Sequence, residues 1–168
     1  MTEEESRIGR IEVLGGILKS VGNFDPSAFK SSFNYRMILQ KTIYLLQEFD
    51  LNIGYFYNWY IRGPYSPALT RDAYKMAKRF EDLPPVKFVD PEDESRFKQF
   101  LFFIKPKAGD HTYLEKIASI HFLFRMYPTI SRKRIFSKTK AKIPSLTKRE
   151  FETMCKELTR YGLLKAEN

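Results

Sequence analysis

Residues 39–69, LQKTIYLLQEFDLNIGYFYNWYIRGPYSPAL, read as a helix, an aromatic strand, a tight turn and the start of a second helix, and the rest of the chain has to pack around them. Across residues 35–49, the side chains of Tyr35, Ile38, Leu39, Thr42, Leu45, Leu46 and Phe49 fall on one face at about 3.6 residues per turn. Gln40, Lys41, Tyr44, Gln47 and Glu48 take the opposite side, and Asn52 with Gly54 interrupts the pattern. The run YFYNWYI at residues 55–61 is dense in aromatic residues, which suit a pleated surface, and predicts a short strand. Gly63-Pro64 predicts a turn, because Pro lacks a donor and fixes φ while Gly tolerates a left-handed conformation. Ser66-Pro67 marks a helix start: the hydroxyl accepts from first-turn amides, and Pro at the first position forfeits no hydrogen bond. Leu69, Ala73, Met76, Ala77 and Phe80 share the next face, so this helix is expected to bury against the first.

Two readings of that turn compete. In one, Arg62 and the free amides beginning at Ser66 form an anion site at a helix N-terminus. The other, which we favour, is a turn and cap that lock helix to strand. Trp59 and Tyr60 carry the same ambiguity: they could stack nucleic-acid bases, but aromatics in a strand more often belong to the core.

The pattern L-Q-K-x-x-Y followed by G-x-x-F/Y-x-W-Y-x-x-G-P-Y-S-P-x-L resembles the SocA-like (Panacea) and YwgA-like group of small prokaryotic proteins. Leu39, Gln40, Lys41, Tyr44, Gly54, Trp59, Tyr60, Gly63, Pro64, Tyr65, Ser66, Pro67 and Leu69 carry the resemblance. It implies a mostly helical fold and a non-catalytic role in which members bind other proteins, as antitoxins or as adaptors for proteolysis. Gln40, Lys41, Tyr44, Trp59, Gly63, Pro64, Tyr65, Ser66 and Pro67 would then be structural or partner-binding.

At 168 residues, with 43% hydrophobic and 15% aromatic content, the chain is long and apolar enough for a good core. Its apolar runs are too short to span a bilayer, and the acidic MTEEES start is unlike a secretory signal, so no membrane partner and a cytoplasmic location are expected. Cys155 is the sole cysteine, which excludes an internal disulfide or a multi-thiolate zinc site; its place on an apolar helical face points to a buried thiol.

Before the central stretch, residues 1–6 are expected to fray. Ile8, Ile11, Leu14, Ile17, Leu18 and Val21 predict an amphipathic helix, weakened by Gly15-Gly16 and ended by Gly22, and Asp25-Pro26 opens a short helical turn. After it, Leu83-Pro84-Pro85 stops a helix and VKFV at residues 86–89 alternates weakly as a strand. The carboxylates of DPEDES at residues 90–95 lack the spacing of a calcium loop and fit a solvated helix start. Phe97, Phe100, Leu101 and Ile104 give the next buried stripe, and residues 106–110 are the best candidate boundary. Leu114, Ile117, Ala118, His121 and Phe124 form a further inward face, with His121 read as a core histidine that has a hydrogen-bond partner. His111 shares no face with it, so no paired-histidine metal motif exists, and we find no nucleophile elbow, phosphate loop or dinucleotide fingerprint. No catalytic residue, metal or cofactor is therefore proposed, and no enzyme is expected.

The net charge is +9, of which residues 125–168 carry +8, from 12 Lys and Arg against 4 Asp and Glu. Such segregation argues for a polyanionic partner. Ser131 can cap a helix through SRKRIFSKTKAK, and Thr147 with Glu150 fits a capping box opening a helix to Gly162. Along the latter, Phe151, Met154, Cys155, Leu158 and Tyr161 face inward, with Arg149, Thr153, Lys156 and Arg160 opposite, beside Glu152. The arrangement resembles a helix-turn-helix or winged-helix unit, with at most one strand of a wing after Gly162. In that reading Arg132, Lys133, Arg134, Lys138, Lys140 and Lys142 position the DNA backbone, Arg149, Thr153, Lys156 and Arg160 approach base edges, and Lys148 joins the nucleic-acid-binding set.

The expected fold is mainly α: a helical bundle with one or two short strands and a C-terminal helix-turn-helix (winged-helix-like) unit. Residues 1–109 are expected to form the SocA-like core and residues 110–168 the basic region, either as a separate unit or packed as one domain with it. The expected function is non-catalytic DNA binding or regulation, with duplex DNA as partner. The alternatives are an antitoxin-like or adaptor protein that binds another protein, or an RNA-associated subunit of a larger assembly.

Overall fold

A computed structural model describes residues 2–166, except for the side chains of residues 3–8. In chain order the elements are α1 (Glu3–Val21), α2 (Pro26–Ser31), α3 (Phe33–Glu48), the strands β1 (Asn58–Tyr60) and β2 (Gly63–Tyr65), α4 (Pro67–Ala77), α5 (Pro91–Ile104), α6 (His111–Met126), α7 (Arg132–Lys142) and α8 (Lys148–Arg160). The fold is thus mainly helical with one two-stranded antiparallel sheet, and none of its described helices is long and apolar enough to cross a membrane.

The helices α3 and α6 pack on each other and form the axis. Each is buried without a break, from Met37 to Leu46 in α3 and from Leu114 to Leu123 in α6. The two-sided α3 expected from periodicity is therefore corrected: Tyr35 is exposed, whereas Gln40, Lys41 and Tyr44 are buried. An unpaired buried amide would cost roughly 2–7 kcal/mol. These polar groups avoid that cost by bonding to the neighbouring hairpin and to α6, so polarity alone did not mark the solvent side. Ile38, Leu39, Thr42, Leu45, Leu46 and Phe49 do face the core.

Gly63-Pro64 is not the turn but the start of the second strand. Asn58 pairs with Tyr65, Trp59 with Pro64 and Tyr60 with Gly63, leaving Ile61 and Arg62 as the loop. Pro64 is tolerated because a two-stranded sheet is all edge. The strand expected at residues 55–61 shortens to β1 because Gln47 engages the chain ahead of it, accepting from Tyr55 N at 3.0 Å and donating to Tyr55 O at 2.9 Å. Residues 86–89 form no strand. The chain instead lies against α1 at Gly16, where a Cβ would come within 2.7 Å of the Val86 amide nitrogen. The glycine expected to weaken α1 thus creates a close helix-to-chain contact.

The helix α1 begins at Glu3, inside the segment expected to fray, and the inward placement of Ile8 lies outside the described residues. Asp25, Ser32, Ser66, Asp90, Asp110, Ser131 and Thr147 cap the helices that follow them. Around the candidate boundary the hydrophobic cluster runs continuously from Ile11 to Leu158, and Asn23 Nδ2 donates to Ala108 O at 3.1 Å. After Gly162 the described residues form no strand of a wing. Leu163 N donates back to Leu158 O at 2.9 Å, and Leu163 O accepts from His121 Nε2 at 3.1 Å.

His121 is indeed a partnered core histidine, its Nδ1 accepting from Tyr44 OH at 2.7 Å. Burial outweighs the opposing hydrogen bond to the Leu163 carbonyl and, with a smaller push from the Arg125 charge, pulls its pKa down from 6.5 to about 4. The unfolded chain therefore binds a proton at higher pH than the folded one. Stability should fall by on the order of 3 kcal/mol as the pH drops from 7 to 4 on this account, a slope that His121→Gln should remove in urea titrations.

Gly63 has φ +92°, and a Cβ there would sit 2.2 Å from Ser119 Oγ. Gly63→Ala is expected to cost about 1–3 kcal/mol in urea unfolding, and adding Ser119→Ala should restore only the steric part, leaving the backbone strain.

Candidate functional site

Both α7 and α8 pack on α6, which fixes the faces they turn outward. Ile135 and Thr139 anchor α7, while Phe151, Met154, Cys155 and Leu158 anchor α8. Phe136 meets Phe151 at 5.3 Å between ring centroids, closing the helix pair. Thr147 and Glu150 complete the expected capping box, with Thr147 N donating to Glu150 Oε1 at 3.0 Å and Glu150 N to Thr147 Oγ1 at 3.1 Å.

Charge on α8 is partly sorted between its two sides. Glu150 accepts from Lys116 Nζ at 2.8 Å, and with the Thr147 amide this holds its carboxyl below the usual range. Glu157 pairs with Lys107 and accepts from the Tyr113 hydroxyl. Arg149, Thr153, Lys156 and Arg160 line the opposite, exposed side at spacings of three and four residues, and exposed Glu152 lies beside them.

The cations of α7, read together above as DNA-backbone contacts, lie on two flanks of the helix. Arg134, Lys138 and Lys142 follow one another at four-residue spacing, while Lys133 and Lys140 share the other flank. Lys140 Nζ donates to Pro144 O at 3.2 Å and Leu146 O at 2.8 Å, so it secures the α7–α8 connection. Lys138 Nζ sits 4.7 Å above the Tyr127 ring. Arg132 is half-buried, with its guanidinium 5.9 Å from the Phe124 ring. Among the described residues, Lys133, Arg134, Lys138, Lys140, Lys142, Lys148, Arg149, Lys156 and Arg160 form no ion pair.

The second group gathers the motif residues of the central stretch. Gln40 Nε2 donates to Ser66 O at 2.9 Å and Thr70 Oγ1 at 2.8 Å, while its Oε1 accepts from Ser66 N at 2.9 Å. Lys41 Nζ donates to Pro64 O at 2.7 Å. Thus the Ser66 amide is already taken, which leaves the hairpin as a clamp and cap and removes the anion site at the α4 N-terminus, while Arg62 lies 3.8 Å from Glu115. Tyr44 binds His121, and Trp59 stacks on Phe122 at 5.7 Å, so both belong to the core side. Between the hairpin, α3 and α4 lies a cleft of about 420 Å³ that includes Phe33, Tyr60, Tyr65 and Tyr74, with Lys41 in its lining. Burial lowers the Lys41 pKa from 10.5 to about 7, against the opposing pull of Glu115.

Residues 90–95 act as a helix start, with Asp90 capping α5 and Arg96 pairing with Glu92 and Asp93. Cys155 is buried. No cluster of three or more His, Cys, Asp or Glu able to hold a metal exists among the described residues.

Sequence reasoning missed the cleft and the two lysines that draw the α8 acids inward. Lys116 and Glu150 are 34 residues apart, a separation that no local periodicity records. Comparison with models of protein families, with curated proteins and with solved structures finds no match.

The Lys41 environment has a measurable consequence. Between about pH 7 and 10.5 the unfolded chain holds a proton that folded Lys41 has lost, so stability rises with pH across that window. Urea unfolding should give a wild-type gain of about 2 kcal/mol from pH 7 to 9 that Lys41→Met lacks.

Proposed function

We propose that this protein is a non-catalytic, DNA-binding regulatory protein of the SocA-like (Panacea) and YwgA-like type, acting in the cytoplasm. The observation that carries the reading is the placement of charge on α8: two of its three acids, Glu150 and Glu157, are paired to nearly buried lysines, while Arg149, Lys156 and Arg160 face solvent and form no ion pair among the described residues, with Glu152 the one acid on their side. In this reading the unit formed by α6, α7 and α8 works as a helix-turn-helix. Arg149, Thr153, Lys156 and Arg160 approach base edges in the major groove, and Arg134, Lys138, Lys142 and Lys148 neutralise phosphates. Arg132, Lys133 and Lys140 have a smaller part, since they leave the main stripe.

A second reading has its own observation. Exposed Phe33, Tyr60 and Ile61 gather at the hairpin, and an adaptor or antitoxin-like protein would use such a surface to engage another protein.

Titration of labelled duplex DNA at two salt concentrations tests the first reading. Affinity should fall steeply with salt; Arg134→Gln with Lys138→Gln should lower the slope of log affinity against log salt by about 2. Lys156→Glu with Arg160→Glu should weaken binding at least about tenfold at low salt. Unchanged affinity in the Lys156/Arg160 variant would reject this reading. A marked preference for single-stranded RNA over duplex would move the assignment to an RNA-associated subunit.

A further inference from the structure

We propose that the cleft beside the β1–β2 hairpin binds an organic acid that joins an apolar, ring-sized body to a single carboxylate. Its volume of about 420 Å³ is that of a small-molecule site. Aromatic rings form its walls, and three of them remain substantially exposed: Phe33 at 51%, Tyr60 at 43% and Tyr74 at 39%. Such surface is left in water unless something covers it.

The charged side chains lining the cleft are Arg36, Lys41 and Arg62; the one carboxylate beside them among the described residues, that of Glu115, lies behind the lining, 3.8 Å from Arg62. Arg36 is committed to the carbonyls of Phe29 and Lys30, at 3.0 and 3.2 Å. Arg62 is held only loosely, 3.8 Å from Glu115, and its guanidinium lies 5.6 Å from the Phe33 ring. Lys41 is 1% exposed, yet Pro64 O is its one hydrogen-bond acceptor among the described residues. In its protonated form the Lys41 amine has three donors, so two are then unmatched in a buried place, and a carboxylate beside it would favour that form. A carboxylate entering between Lys41 and Arg62 would satisfy both cations, and the aromatic walls would take the rest of the ligand. A phosphate suits the site less well, because its greater charge and hydration conflict with walls of Phe and Tyr.

None of the cleft residues belongs to α7 or α8, so the two binding proposals stand or fall separately. The full chain, labelled for NMR, should be titrated with hydrocinnamate, with its uncharged carboxamide, and with a short peptide ending in Phe with a free carboxyl group. We expect saturable shifts at Tyr60, Gly63 and Tyr65, and binding of the acid at least about tenfold tighter than the amide, as loss of a charge-assisted bond entails.

Arg62→Gln, on the exposed loop, should weaken the acid about three- to tenfold without altering the amide. Lys41→Met, if folded, should abolish the discrimination. Tighter binding of the free acid assigns the site to a small metabolite, whereas tighter binding of the peptide assigns it to a protein chain end. Equal binding of acid and amide, shifts confined to other surfaces, or no saturation by either acid or peptide at millimolar concentration would overturn the proposal.

Discussion

Two adjacent side chains in the middle of α3 hold the hairpin in place, and the arrangement of the front half follows from them. The Gln40 amide exchanges hydrogen bonds with both backbone groups of Ser66, and Lys41 takes the carbonyl of Pro64. A two-stranded hairpin with three residues in each strand has little stability of its own. Fastened to α3, it presses Gly63 against Ser119 of α6 and delivers Ser66 as the cap of α4. The helix α4 then brings Asp72 into position to accept from Arg10 of α1 at 3.0 Å and from Tyr55 at 2.8 Å. Four separated parts of the sequence are connected through buried polar contacts, each costly to leave half-made.

The same axis determines what the C-terminal region presents. Because α6 supports both α7 and α8, lysines at its start and just before it sit where α8 turns its core side. Lys116 and Lys107 are nearly buried and would be destabilising without Glu150 and Glu157 beside them. Meeting that need withdraws two of the α8 acids from the solvent-facing side. The positive stripe on α8 is therefore a consequence of how the core neutralises its own lysines, as much as of the Arg and Lys content.

Much of this was legible in the sequence where the signal is local. Ser131 and Pro144 bracket α7, the Thr147–Glu150 pair opens α8, and the alternation of Phe97, Phe100 and Ile104 marks the buried stripe of α5. The errors came where partners lie far along the chain. Gln40 and Lys41 look solvent-facing until the hairpin 23 to 26 residues later supplies their acceptors. Gly63-Pro64 carries turn chemistry but serves as a strand, because the Ile61-Arg62 loop comes first and Gly63 uses its positive φ to leave that loop. Gly15-Gly16 looked like a weakness in α1 and instead accommodates the chain near Val86. Of the candidate sites, the α8 stripe could be read from its three- and four-residue spacing, whereas the cleft, built from α3, α4 and the loop of the hairpin, could not.

The central claim is that the outward faces of α7 and α8 meet a polyanion while the other lysines do not. Lysine acetylation of the folded chain, followed by mass spectrometry with and without duplex DNA, reads this residue by residue. The account predicts that DNA protects Lys138, Lys142 and Lys156 and leaves Lys87 and Lys98 reactive. Uniform protection of all these lysines, or none at Lys156, would contradict it.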